Sequence, residues 1–335
     1  MGYTNDYNTY ADDAFMMAEM ALKLIEAVED AIIRDYGLSA NVEHNKVLKT
    51  NVEVDALQVH FQDSNIAPSI YLDAAYEQYN NGRTVEGIAT DIAKAAVVAH
   101  QQSPIVPELT AEEAKKAVAL TLINAERNKK LLQNVPHFIL GDLAAVPRWY
   151  ISEEASFLVT NDLASKMMLT GDEVLQIGQQ NINNTKFDVV SMSDMLKGLL
   201  TGNAMDRAAM DEMFPETPET SMVVMTSKNR LQGARAILSK DALAEVTEKL
   251  HSKEFYILPS SIHEVICIPV DAAVSPAYLC TMVHEVNAME VSPQEFLSNE
   301  VMKFDGNKIS LVRDDLKPDS PVVNERTIHY VGMHM

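Results

Sequence analysis

The chain has 335 residues, of which 47% are hydrophobic and 22% charged; this is the composition of a folded globular protein, and the length suffices for one large domain or two ordinary ones. Its formal net charge of −21 disfavours direct binding to polyanionic nucleic acid. No run is apolar and long enough to span a membrane, no signal peptide is readable, and two cysteines make no disulfide framework, so we expect a cytoplasmic protein without membrane contact.

Residues 1–103 are predicted to form a helix, a hairpin and a pair of helices. Apolar residues recur at helical spacing over residues 10–36, which indicates an amphipathic helix, and Gly37 is placed to end it. A later apolar pattern is broken at residues 80–82, "NNG", which separates two shorter helices.

Between these helices, "VLKTNVEVDALQVHF" (47–61) alternates as a β-hairpin does, with its turn near Thr50-Asn51. The alternation slips at Ala56 and Leu57. An extra residue in one strand would cause such a slip, so the sequence predicts a β-bulge there.

A proline-containing linker is predicted at residues 104–109, "PIVPEL". Beyond it, residues 110–312 are predicted to form an α+β core. This core begins with a helix that is capped by Thr110 and runs to about Leu132. The polar segment 313–335 is predicted to be an irregular tail.

Short strands and capped helices follow along the core. Three residues are predicted to cap helices, and they are Thr170, Ser275 and Ser292. Asp305-Gly306 indicates a second hairpin turn. Because hairpins are mixed with strand–helix steps, the sequence predicts an α+β fold with a mixed, largely antiparallel sheet packed by amphipathic helices.

The sequence contains no common phosphate-binding or nucleophile motif. It has only 12 glycines, and no Walker A loop, dinucleotide turn or G-x-S-x-G elbow is present. The zinc motif H-E-x-x-H is also absent. We therefore expect no cofactor and no metal.

The segment that most suggests a functional site is "FYILPSSIHEV" (255–265), in which the polar residues His263 and Glu264 follow a turn. Adjacent side chains of a strand point to opposite faces, so one acid/base site does not readily use both. Each is predicted to make its own structural hydrogen bond. His263 stays a candidate site residue, with Cys267 on its face.

Two further arrangements are candidates for catalysis. Cys280 and His284 lie one turn apart on a predicted helix, where a thiol–imidazole pair is geometrically possible. His137 and Asp142 could form a base and the residue that orients it, with Arg148 available for an anion. Neither spacing matches a general template.

Several segments together resemble an uncharacterised bacterial family of domains of unknown function, family 5688. The segment "LPSSIHEV" is the most specific part of the resemblance. The segments that carry it are 65–83, 134–144, 157–163, 255–265 and 284–298. The resemblance implies a bacterial or mobile-element origin and no known activity, so it assigns no catalytic residue.

The leading hypothesis is a non-enzymatic, acidic, cytoplasmic protein that acts through contact with an unknown protein partner. It is motivated by the large acidic surface and by the lack of a coherent catalytic constellation. One alternative is a hydrolase that uses the His/Asp or the Cys/His site. Another is a DNA mimic of the anti-restriction type, with acids spaced along one face.

Overall fold

The computed structural model describes residues 6–64, 66–102, 108–152, 155–195, 222–259, 261–272 and 275–312. Its contacts divide the chain into two compact units, residues 1–105 and 106–335. Residues 104–107 of the predicted linker and the predicted tail at 313–335 lie outside the described residues.

The first unit is a three-stranded antiparallel sheet packed by helices, and its strands are arranged in chain order. One hydrophobic cluster joins the sheet to the helices. Its elements are α1 (Asp6–Tyr36), β1 (Ala40–Lys49), β2 (Val52–Phe61), β3 (Ser69–Tyr71), α2 (Asp73–Asn80) and α3 (Val85–Gln101). The predicted N-terminal helix and helix pair are confirmed, and Gly37, with φ +67°, follows α1.

The β1–β2 hairpin is confirmed, but the predicted bulge is wrong. The register is continuous from Ala40 opposite Phe61 to Lys49 opposite Val52. Ala56 and Leu57 are both fully buried. Because β2 is the central strand, consecutive side chains are covered on both faces at this position, and the slip in alternation reflects this double burial.

The second unit contains two antiparallel sheets, which confirms the α+β prediction. The elements of this unit are α4 (Ala111–Ala117), β4 (Val118–Asn124), α5 (Lys129–Leu132), β5 (Phe138–Leu140), β6 (Leu143–Tyr150), β7 (Ser156–Leu158), α6 (Asn161–Lys166), α7 (Gly171–Asn184), β8 (Asp188–Ser191), β9 (Val223–Thr226), a 3-10 helix (Gly233–Leu238), α8 (Lys240–Leu250), β10 (Phe255–Leu258), β11 (Glu264–Pro269), α9 (Pro276–Glu290), β12 (Met302–Phe304) and β13 (Ile309–Leu311). The strand order is β13-β12-β10-β11-β9-β8 in one sheet and β4-β6-β5 in the other, where β7 also pairs with β6.

The helix predicted from Thr110 to about Leu132 is too long. Thr110 does cap α4, accepting a hydrogen bond from the Glu113 N–H at 3.2 Å, but α4 ends at Ala117. The next seven residues form β4, of which all but one are buried. A strand covered on both faces reads as a continuous apolar run, which periodicity does not separate from a buried helix.

Ser275 and Ser292 each precede a proline and are predicted to cap helices, but only Ser275 is followed by a helix. Ser275 caps α9, with Pro276 in its first turn. Ser292 exchanges hydrogen bonds with Glu295 at 3.0 and 3.3 Å, yet only a turn forms there. The three residues after it, 296–298, are all buried, so the chain leaves the turn to enter the core.

The 3-10 helix is packed so closely against its neighbours that its first residue has no room for a side chain. A Cβ on Gly233 would lie 2.3 Å from Ser227 N and 2.4 Å from His263 O. The next residue, Ala234, donates its N–H to Ile262 O at 3.2 Å. The ends of β9 and the turn before β11 therefore meet at this glycine.

Gly233→Ala is expected to lower the free energy of unfolding by about 3 kcal/mol, because the added methyl group overlaps backbone atoms that do not rotate away. Gly171→Ala is the matched control, since its Cβ would approach only the Pro136 side chain, at 3.2 Å. Denaturant unfolding of both variants checks this. Equal stability losses would contradict the close packing at Gly233.

Candidate functional site

The second unit carries a cavity of about 470 Å³. It lies between the end of β6, the loop 227–232 and the turn before β11. Three cationic side chains line it, Lys186, Lys228 and Arg235, and no acidic side chain of the described residues does. Glu153 and Glu154 fall outside the described residues. Hydroxyl and amide groups supply most of the remaining polar lining.

The loop 227–232 is held by hydrogen bonds of its own. Ser227 Oγ lies 2.8 Å from both Asn229 Oδ1 and Leu231 O, and the Leu231 N–H donates to Asn229 Oδ1 at 3.1 Å. Arg230 and Gln232 have φ of 57° and 52°, the left-handed region that non-glycine residues rarely adopt. Such backbone persists where its surroundings enforce it, and it is frequent at binding sites.

Arg235 is the best-placed ligand-binding group of this cavity. Its guanidinium carbon lies 4.7 Å from the centre of the Tyr150 ring, within the range of a cation–π contact. Its Nε and Nη1 atoms are buried and meet no hydrogen-bond acceptor among the described residues. Buried N–H donors normally have an acceptor, so Arg235 favours an anionic ligand in this cavity.

Tyr150 and Arg148 place more polar groups beside Arg235. The Tyr150 hydroxyl donates to Gln232 Oε1 at 2.7 Å. Burial raises the pKa of Tyr150, and the charges of Arg235 and Arg148 oppose that rise. Burial also lowers the pKa of the Arg148 guanidinium; Tyr150 opposes this fall, and the charge of Arg235 adds to it. The two guanidinium groups are thus close enough to influence each other.

Arg148 does not serve the His137/Asp142 pair. It donates from Nε to Ser156 Oγ and from Nη2 to Ser156 O, both at 3.1 Å. Since Ser156 lines the cavity, the anion-binding arginine expected from the sequence instead supports the cavity wall.

His263 lines the cavity and holds the loop through Nδ1, while Nε2 faces Glu295. Its Nδ1 accepts the Gln232 N–H at 3.2 Å, and its Nε2 lies 3.4 Å from Glu295 Oε1. The neutral ring therefore carries its proton on Nε2. Glu264 has a separate partner, the Ser261 hydroxyl, at 2.8 Å. The two adjacent residues do not form one site, and His263 positions Gln232.

Asp142 belongs to a polar network that ties β6 to the segment after α9. Its Oδ2 accepts the Ser298 hydroxyl at 2.6 Å and lies 3.5 Å from Asn124 Nδ2. Asn124 also donates to Leu297 O at 3.0 Å. His137 Nδ1 instead bonds Val135 O at 2.9 Å. The two residues of the predicted dyad thus have different partners.

Cys280 and His284 lie on α9, as predicted, in different surroundings. Cys280 packs beside an apolar cluster, while His284 is exposed. Among the described residues no hydrogen bond joins the thiol to the imidazole. The structure leaves this pair as a geometric possibility on one helix.

The buried face of α9 is narrow. Leu279, Val283 and Asn287 are buried, whereas the apolar residues Val286 and Met289 are exposed. Asn287 is buried with a partner for its side-chain amide, which donates to Ser298 O at 2.6 Å. The apolar pattern of the sequence does not reveal this residue, since a polar side chain does not signal burial.

Cys267 is fully buried in the main core, where its thiol lies 3.5 Å from Met225 Sδ. Burial raises the pKa of this thiol well above its ordinary value, so it stays protonated and inert. Although the strand alternation places it on the same face as His263, it contributes packing and not a site.

The sequence points to His263 and Arg148 but misses Lys186, Lys228 and Arg235. One signal could have found two of them. The segment "SKNRLQGAR" (227–235) carries three basic residues and no acid in a chain of net charge −21. It follows a predicted strand, where loops commonly carry binding residues.

Fold and cavity together define an α+β protein with a cationic pocket. The chain belongs to the DUF5688 family of unknown function, whose model matches residues 22–306. No curated protein and no solved structure matches it. Among the described helices, none combines the length and apolar composition needed to cross a membrane. The described residues hold no group of three or more His, Cys, Asp or Glu side chains placed for a metal ion.

Asp142→Ala is expected to lower the free energy of unfolding by about 2 kcal/mol, because the buried Ser298 hydroxyl loses a charged acceptor. Asp142→Asn keeps an oxygen acceptor and should lose less. His137→Ala, at an exposed site, should change stability by no more than roughly 0.5 kcal/mol. Denaturant titration measures all three, and an unaltered stability of Asp142→Ala would refute the structural role.

The two cysteines are expected to differ sharply toward a thiol reagent such as a water-soluble aromatic disulfide. Native protein should react at Cys280, which is partly exposed, and not at Cys267, which is buried. Cys280→Ser should therefore be unreactive until denaturant is added, as followed by absorbance of the released thiolate. Native Cys280→Ser that reacts at the wild-type rate would show that Cys267 is accessible.

Proposed function

We propose that this protein is a non-enzymatic binding protein and that the cavity beside Arg235 captures a small anionic molecule. One observation carries the proposal. In a chain of net charge −21, the cavity has three cations and no described acid, and the Nε and Nη1 atoms of Arg235 are buried and meet no acceptor among the described residues. A bound anion would supply that acceptor and neutralise the local charge.

The size and the rigidity of the cavity support the same function. Its volume of about 470 Å³ lies in the range of sites for small molecules. The loop 227–232 is held by internal hydrogen bonds and by His263, so ligand binding would lose little conformational entropy in ordering it. Because both ring nitrogens of His263 are engaged, the imidazole is better placed to position the loop than to transfer a proton.

Contact with a protein partner, placed first on sequence grounds, stays a prediction. The outer face of α9 would suit it, since Tyr278, Val286 and Met289 are exposed there. The hydrolase and DNA-mimic alternatives likewise stay predictions, as do the cytoplasmic location and the bacterial origin.

The proposal predicts that phosphate and sulfate raise the midpoint of thermal unfolding while chloride at matched ionic strength does not. Arg235→Gln should weaken phosphate binding about tenfold or more, because charged hydrogen bonds are lost. Isothermal titration calorimetry measures the affinities.

Arg127→Gln is the matched control for that experiment, because Arg127 is exposed and stacks on the Phe296 ring outside the cavity, at 3.6 Å. Lys228→Gln, an exposed change at the cavity rim, provides a second test in case Arg235→Gln folds poorly. Failure of every anion to stabilise the wild type, or equal affinities of wild type and both cavity variants, would overturn the proposed function.

A further inference from the structure

We infer that the ligand of the cavity is a phosphate monoester with a small apolar body, and not a bare ion or a simple carboxylate. This inference rests on the proposed function and names its ligand class. Three features carry it: the charge of the lining, the volume of the cavity, and the apolar side chains in the lining.

The charge of the lining favours a dianion. Lys186 and Lys228 join Arg235 around one cavity, with Arg148 behind the wall at Ser156. A single carboxylate brings one negative charge, whereas a phosphate monoester carries about −1.5 to −2 at neutral pH and three acceptor oxygens. The monoester therefore offsets more of the cationic charge than a carboxylate does, and it offers the cations more acceptor oxygens.

The volume and the apolar walls of the cavity favour a ligand that carries an apolar group in addition to its phosphate. A cavity of about 470 Å³ is much larger than one oxyanion, given that a water molecule takes roughly 30 Å³ of liquid. Leu231, Ile262 and the Tyr150 ring face this space beside the polar groups, and the Leu231 side chain is 40% exposed. An apolar group of the ligand would cover this surface and gain from its removal from water.

The same features favour a small molecule over a phosphorylated peptide. The cations line one cavity whose volume is in the range of sites for small molecules. Leu231 projects from the loop that Ser227 and His263 hold in place, so the body would meet a preformed surface.

The test compares three ligands by calorimetry on the full chain: inorganic phosphate, phenyl phosphate and benzoate. Phenyl phosphate should bind about tenfold more tightly than inorganic phosphate, because its ring covers Leu231 and Ile262, and also more tightly than benzoate, because of its charge. Leu231→Ala should weaken phenyl phosphate several-fold and leave inorganic phosphate unchanged.

The charge is tested by Lys186→Gln combined with Lys228→Gln. This double variant should weaken phenyl phosphate about tenfold and benzoate less. Lys166→Gln, an exposed lysine of α6 outside the cavity, is the control and should bind all three ligands as the wild type does.

The outcomes separate this inference from the proposed function. Equal affinities for inorganic and phenyl phosphate would overturn the inference that the ligand has an apolar group. A Leu231→Ala variant that binds both compounds more weakly to the same extent would overturn it too. Tighter binding of benzoate than of phenyl phosphate would overturn the inference that the ligand is a phosphate monoester. In both cases anion binding that depends on Arg235 would still uphold the proposed function. Tight binding of a phosphoserine peptide alone would replace the small molecule by a peptide, and no binding of any anion would refute both proposals.

Discussion

The close approach of the Gly233 backbone to the end of β9 and to the turn before β11 is the constraint on which the candidate site depends. Backbone atoms of Ser227 and His263 occupy the place that a Cβ would take. Thr226 Oγ1 donates to His263 O at 2.8 Å in the same place. This junction determines where the loop 227–232 leaves the sheet and where the 3-10 helix directs Arg235.

The charge distribution explains why such a site needs a rigid frame. At a net charge of −21 the protein repels anions at long range, and salt reduces this repulsion over a Debye length of about 8 Å. Attraction therefore has to arise at contact, where partial burial strengthens a guanidinium–oxyanion bond. The cavity meets this requirement at Arg235, whose guanidinium carbon lies 4.7 Å from the centre of the Tyr150 ring, and no described acid lines the cavity.

Local signals predicted the elements whose causes are local. Gly37 ends α1 and Asp305-Gly306 turns the last hairpin because the backbone conformation there depends on a few neighbouring residues. β4 was predicted to be a helix because burial on both faces removes the alternation of a strand. The cations of the cavity were missed for another reason, since residues 186, 228 and 235 meet only through the pairing of β8, β9 and β11.

The segment "LPSSIHEV" shows why a polar pair can suggest an active site and still be part of the frame. Ile262 O accepts from Ala234, His263 O from Thr226, and His263 Nδ1 from the Gln232 N–H. Gln232 in turn accepts the Tyr150 hydroxyl at 2.7 Å, and Tyr150 lies under the guanidinium of Arg235. A continuous chain of contacts thus leads from the histidine to Arg235. The two residues therefore have separate structural roles, because His263 positions Gln232 at the cavity and Glu264 accepts the Ser261 hydroxyl.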